Sequence, residues 1–218
     1  MPLADAVDAP HRAAMMEVEG HIRDPDIPAQ KTERLISQLH EDGRIDRVNM
    51  LSALHVLAAS PKVGDFDLAA RHVAEQEMAA LALGGPRLES NLASVDRHRG
   101  VLAFLQGRFS VALDYFSRAF ERQHTAGNLS NVLATLIRLG DVGESRALLA
   151  QVRIAFTEDF TRDLDSMIAQ DPDLATCHFC EPALSTTTYS TIVVNVSNIC
   201  FITTSKNFEL IVVSSVKF

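Results

Sequence analysis

Gly107-Arg108-Phe109-Ser110-Val111-Ala112-Leu113-Asp114-Tyr115-Phe116-Ser117-Arg118-Ala119 is the stretch that decides how this chain folds. It opens with a glycine, any residue, a large apolar residue, two more and a small residue. Ala112, Phe116 and Ala119 then follow at helical spacing, so a turn feeds directly into an amphipathic helix. The opening recurs twice, as Gly64-Asp65-Phe66-Asp67-Leu68-Ala69 and as Gly140-Asp141-Val142-Gly143-Glu144-Ser145. The three glycines are 43 and 33 residues apart. Recurrence at roughly 30–45 residues marks a helical repeat array, whose units bury their apolar faces against one another.

Outward from these turns, the pattern predicts about nine helices. The first covers 6–23 and is broken by Asp24-Pro25-Asp26-Ile27-Pro28, because two prolines in a short run cannot continue a helix. Leu35, Ile36 and Leu39 mark a helix over 29–41, stopped at Asp42-Gly43. Ile45, Val48, Leu51, Leu54 and Leu57 fit a helix over 45–59. Phe66, Ala69, Ala70, Val73 and Met78 are expected on the inner face of the next helix, which ends before Gly84-Gly85-Pro86. Further helices are predicted over 88–106, 109–123, 129–139 and 142–156. A last one carries Phe160, Leu164, Met167 and Ile168 and ends at Asp171-Pro172. Short turns between helices make antiparallel neighbours. Asp65 and Asp141 stand where they would cap the helices that follow them. The fold class is therefore all-α, with helical hairpins stacked in series over residues 1–176.

The 218 residues carry a net charge of −8 and 47% hydrophobic content. An acidic balance argues against a nucleic-acid-binding surface, which needs a basic face to displace counterions. No uninterrupted apolar run approaches membrane-spanning length, and the N-terminus lacks a basic segment followed by an apolar one, so no membrane partner and no signal peptide are expected. The three cysteines, Cys177, Cys180 and Cys200, all lie late in the chain. The body is thus without a disulfide framework, as suits a cytoplasmic protein.

The chain changes character near residue 177. No arginine follows Arg162, and only one alanine, Ala183, follows Pro182; Ser, Thr, Val and Ile replace them. This tail, 177–218, is β-prone. It reads either as a small hairpin, with strands near 190–203 and 207–216 around Thr204-Ser205-Lys206-Asn207, or as disordered sequence foreign to the original gene. Its uncharged windows 192–196 and 210–213 are of the kind that aggregate when exposed.

Residues 93–152 resemble the tetratricopeptide repeat (TPR). Gly100 stands at a small position of that family's first helix, and Gly107 and Phe109 match its turn. Ala112, Phe116 and Ala119 match the small, aromatic, small series of its second helix. Small residues let two helices approach closely while the aromatic fills the groove. The next copy keeps Gly140, Val142, Ser145 and Leu149 but has Leu133 at a small position; the first keeps Gly64, Phe66, Ala69 and Val73. The family's tryptophan is missing throughout, and His124 stands where its terminal proline would be. The resemblance implies an α-solenoid that binds a protein or peptide and performs no catalysis, similar to the sensor part of a bacterial regulator. Alternatives are a truncated signalling protein whose enzymatic or DNA-binding output domain is missing, and a self-association module that forms homo-oligomers.

By the family's register, the peptide-binding groove is lined by His55, Arg97, Val101, Phe104, Asn131 and Arg138. The two arginines would pair with acidic groups. The competing reading of the same residues is solvated polar groups and core packing. The lysines and asparagines of a chaperone-tail clamp are not in place. Cys177-His178-Phe179-Cys180 has the spacing of half a zinc site, but the second pair of ligands is missing, and no metal or cofactor is expected. The eight histidines are scattered, with no His-Glu-x-x-His, phosphate loop or Gly-x-Ser-x-Gly elbow.

Overall fold

The computed structural model describes residues 3–171, 174, 193–196 and 199–202. Among these are nine α-helices: α1 (Leu3–Arg23), α2 (Ala29–Glu41), α3 (Arg47–Ala59), α4 (Phe66–Leu83), α5 (Leu88–Leu105), α6 (Phe109–Arg122), α7 (Ala126–Leu139), α8 (Val142–Ala155) and α9 (Glu158–Gln170). The all-helical body expected from the sequence is present. Two compact units divide the chain, Met1–Gly107 and Arg108–Phe218.

The repeated turn has a common geometry. Gly64, Gly107 and Gly140 have φ of +66°, +72° and +88°, a left-handed region that costs glycine nothing. A helix begins two residues after each, at Phe66, Phe109 and Val142. Five residues after each glycine the small side chain of Ala69, Ala112 or Ser145 is wholly buried, at 0% exposure. Nine residues after, Val73, Phe116 and Leu149 are buried as well. Gly100 and Ala119, the other small residues on which close helix approach depends, are also buried.

In the first unit α1 packs on α2 and α3, α2 on α3, and α3 on both α4 and α5, with α4 also on α5. Ala14, Val18, Ile36, Leu39, Ile45, Ala53 and Leu57 form one apolar cluster. Ala58, Ala69, Val73, Val95 and Leu102 form a second. Having neighbours on four helices, α3 is buried nearly all round, and Ser52 and His55 are interior along with its leucines. On α4 the inner stripe is Ala69, Val73, Gln76 and Ala80, a steady 3.6-residue rhythm. Ala70 and Met78 fall off that rhythm and face solvent, correcting the expectation for both.

One cation fastens two loops of this unit. Lys62 Nζ donates to the backbone carbonyls of His21 at 2.6 Å and Ile27 at 2.8 Å, and to that of Asp24. His21 lies in the last turn of α1, where carbonyls lack helical partners and a positive charge is favourable. Asp46 and Asp65 cap α3 and α4, accepting from Asn49 N at 2.9 Å and Leu68 N at 2.8 Å.

In the second unit α7 is central, packing on α6, α8 and α9. Leu129, Leu133 and Leu136 of α7 are buried together with Phe116, Phe120, Leu149 and Leu164 of its neighbours. Helix α7 begins three residues earlier than its apolar pattern predicts, because Thr125 caps it through Asn128 N at 3.2 Å. Asn128 then donates from Nδ2 to Ala119 O and Gln123 O, closing the end of α6. Asp141 occupies the cap position of α8, but its side chain accepts no capping bond, against expectation. In the tail, β1 (Val193–Val196) and β2 (Ile199–Ile202) pair antiparallel, Val193 opposite Ile202. Both strands lie inside what the sequence suggested as a single strand near 190–203. Ser197-Asn198, a polar pair of turn-forming composition, separates them. The expected strand near 207–216 lies outside the described residues.

Candidate functional site

Arg97, Val101 and Phe104 follow one another on α5 at helical spacing and share one face. Arg97 is exposed; Val101 and Phe104 are half-buried. Arg97 reaches solvent, yet the surrounding protein strips enough hydration to pull its pKa below the ordinary guanidinium value, with Glu19 of α1 pulling the other way. Glu19 of α1 is thus the acidic group in electrostatic reach of this cation.

His55 is not on that surface. It is 1% exposed, and its Nδ1 lies 3.2 Å from Ala69 O. The register that points the first helix of a hairpin at a groove holds for a helix with one free side, and α3 has neighbours on α1, α2, α4 and α5. Asn131 and Arg138 belong to the second unit. They share a face of α7, Asn131 half-buried and Arg138 exposed in the last turn, where its charge suits the helix dipole.

The eight histidines are scattered along the sequence, and the fold brings two of them together. The rings of His55 (α3) and His98 (α5) stack with centroids 4.4 Å apart and planes 30° from parallel. His98 Nδ1 lies 2.9 Å from Gln76 Oε1 of α4, and its Nε2 lies 3.4 Å from Ser52 Oγ of α3. Burial pulls His55 down from 6.5 to about 4, with His72 and Arg97 adding to the effect against the Ala69 carbonyl. Burial, His55 and Arg97 push His98 well below the usual value. His72 is lowered by the same loss of hydration, and its Nδ1 is buried without a hydrogen bond. The one sequence signal for this network is Gln76, a polar residue on the inner stripe of an otherwise apolar helix face.

Ser52, His98 and Gln76 run in the order of a nucleophile, a base and the group that orients it. All three side chains are buried, Ser52 at 9% exposure. The connection instead joins α3, α4 and α5 through satisfied interior polar groups. Two shallow surface hollows lie elsewhere, on α6 around Asp114 and Arg118 and on α2 around Glu33 and Arg34. No three or more His, Cys, Asp or Glu side chains among the described residues are placed to hold a metal ion. Cys177, His178 and Cys180 lie outside those residues. No described helix is long and apolar enough to cross a membrane. Comparison with protein-family models, with characterised proteins and with solved structures finds no match to this chain.

Proposed function

We propose that the chain is a TPR-like α-solenoid that binds an acidic peptide or protein segment and does no catalysis itself. The observation that carries the reading is Arg97: an exposed, partly desolvated cation on the same helix face as the half-buried Val101 and Phe104. A carboxylate meeting such a cation gains more than one meeting a fully hydrated arginine, and the apolar neighbours supply burial. The solenoid part of the reading is supported by the thrice-repeated glycine turn with its buried small residue, and by α3 touching both α1 and α5. In this reading the protein is a cytoplasmic interaction or sensor module of a larger regulatory system.

The test is capture from a lysate, followed by titration of the captured partner's peptides. Arg97→Glu should weaken binding at least tenfold and Phe104→Ala by a similar factor. Unchanged capture by both folded variants would refute the groove. A second reading, self-association, is favoured by Met78 and Leu81, which lie three residues apart on α4 and are each more than half exposed. Light scattering across concentrations separates it from a monomeric binder.

A further inference from the structure

We infer that the α3–α4–α5 layer is a pH-responsive joint, held closed by a stacked pair of neutral imidazoles and loosened when either takes up a proton. The inference does not depend on the binding reading.

The hydrogen bonds assign the protons. Ala69 O can only accept, so His55 Nδ1 carries the hydrogen. Gln76 Oε1 can only accept, so His98 Nδ1 carries its hydrogen too, and His98 Nε2 is left to accept from Ser52 Oγ. His98 is therefore satisfied at both nitrogens in its neutral form, and His55 is satisfied as a donor at Nδ1. A second proton on His98 would turn its Nε2 into a donor and break the Ser52 bond as now directed. It would also set a charge 4.4 Å from the facing ring. Both rings are buried, at 1% and 4% exposure, so water cannot compensate.

The charges around the pair oppose protonation. From α4, His72 bears on His55; from α5, Arg97 bears on both rings. Further out, Glu19 of α1 bears on Arg97, while Glu33 of α2 with Arg71 and Glu75 of α4 bear on His72. Of the nearby carboxylates on α4 and α5, Glu77 is held by Arg99 at 2.6 Å, and the buried Asp96 has a partner of its own. Both imidazoles titrate below their ordinary value of 6.5 in the folded chain, so the unfolded chain binds protons first. Stability is complete above pH 6.5 and is lost as pH falls towards the folded values. For His55 alone, a shift to about 4 weakens folding roughly thirtyfold by pH 5.

The experiment follows imidazole protonation by long-range proton–nitrogen NMR on the whole chain. Amide exchange protection of α3, α4 and α5 is measured alongside, from pH 7.5 to 4.5. Both rings should remain neutral with hydrogen on Nδ1 to below pH 5.5, and protection should fall at least tenfold between pH 6.5 and 5. His55→Phe keeps a stackable ring and should flatten part of that fall; adding His98→Asn should flatten most of it. Either ring titrating near 6.5 with protection unchanged overturns the inference, as does protection independent of pH in the parent chain. The parent-chain titration decides the matter even where a variant does not fold.

Discussion

The two units solve the same packing problem with different interiors. Residues 1–107 enclose Thr32, Ser52, His55, Gln76, Asp96 and His98, with a polar network crossing from α3 to α4 and α5. The described residues of 108–218 enclose leucines and aromatic rings. There the buried polar side chains stay close to the helix backbone: Asn128 bonds the end of α6, Thr135 Oγ1 donates to Asn131 O, and Ser145 to Leu133 O. Phe156 and Phe160 stack at 4.4 Å where α8 gives way to α9. Acid acts on the first unit's buried histidines and on one partly buried carboxyl of the second unit with opposite sign. The histidines of the first unit lose stability as pH falls. In the second, burial and Asp141 raise the Glu144 carboxyl, so its folded form takes up a proton more readily and acid relieves it. A polar interior makes packing dependent on protonation, whereas an apolar one depends chiefly on shape.

The contrast can be broken most forcefully at Leu133, which is fully buried at the centre of the apolar unit. Leu133→Ala should cost about 2–5 kcal/mol, read as a lowered urea midpoint. The same substitution costing under ~1 kcal/mol would mean that the second unit is loosely packed. Next in size is Lys62→Met, which keeps the stem and removes the ammonium from three carbonyls. It should cost about 1.5–3 kcal/mol, with amide protection lost first at the end of α1. A neutral result would make the loop tether ornamental. The finest comparison is between caps. Asp65→Ala removes a 2.8 Å bond to Leu68 N and should cost about 1 kcal/mol. Asp141→Ala removes no capping bond and should stay within about 0.5 kcal/mol, while lowering the Glu144 pKa. Equal effects on thermal midpoint would show that the two glycine turns differ less than their hydrogen bonds indicate.

Much of the helical layout was legible because the chain is punctuated by residues with local effects. Pro25 and Pro28, Gly43, Gly84 and the three repeat glycines act within a turn of themselves, so α2 and α4 end where expected. The start of α7 was missed because Thr125 looks like loop composition until its hydroxyl is seen on Asn128 N. Ala70 and Met78 were misplaced because apolar character alone does not set helical phase; Gln76 sets it on α4. His55 was read outward because a single helix cannot report how many neighbours it has. The pairing of His55 with His98 depends on packing between residues 43 apart, and no spacing rule reaches that far.

The anchoring of Lys62 has a consequence at the bench. The chain has four lysines, and this amine is engaged by carbonyls only while the fold is intact. Cyanate from ageing urea carbamylates free amines, so prolonged incubation of the denatured chain would cap this one. Refolded material would then lack the clasp between the α1–α2 and α3–α4 loops. Reversibility would decline with the age of the reagent even when the polypeptide is uncleaved.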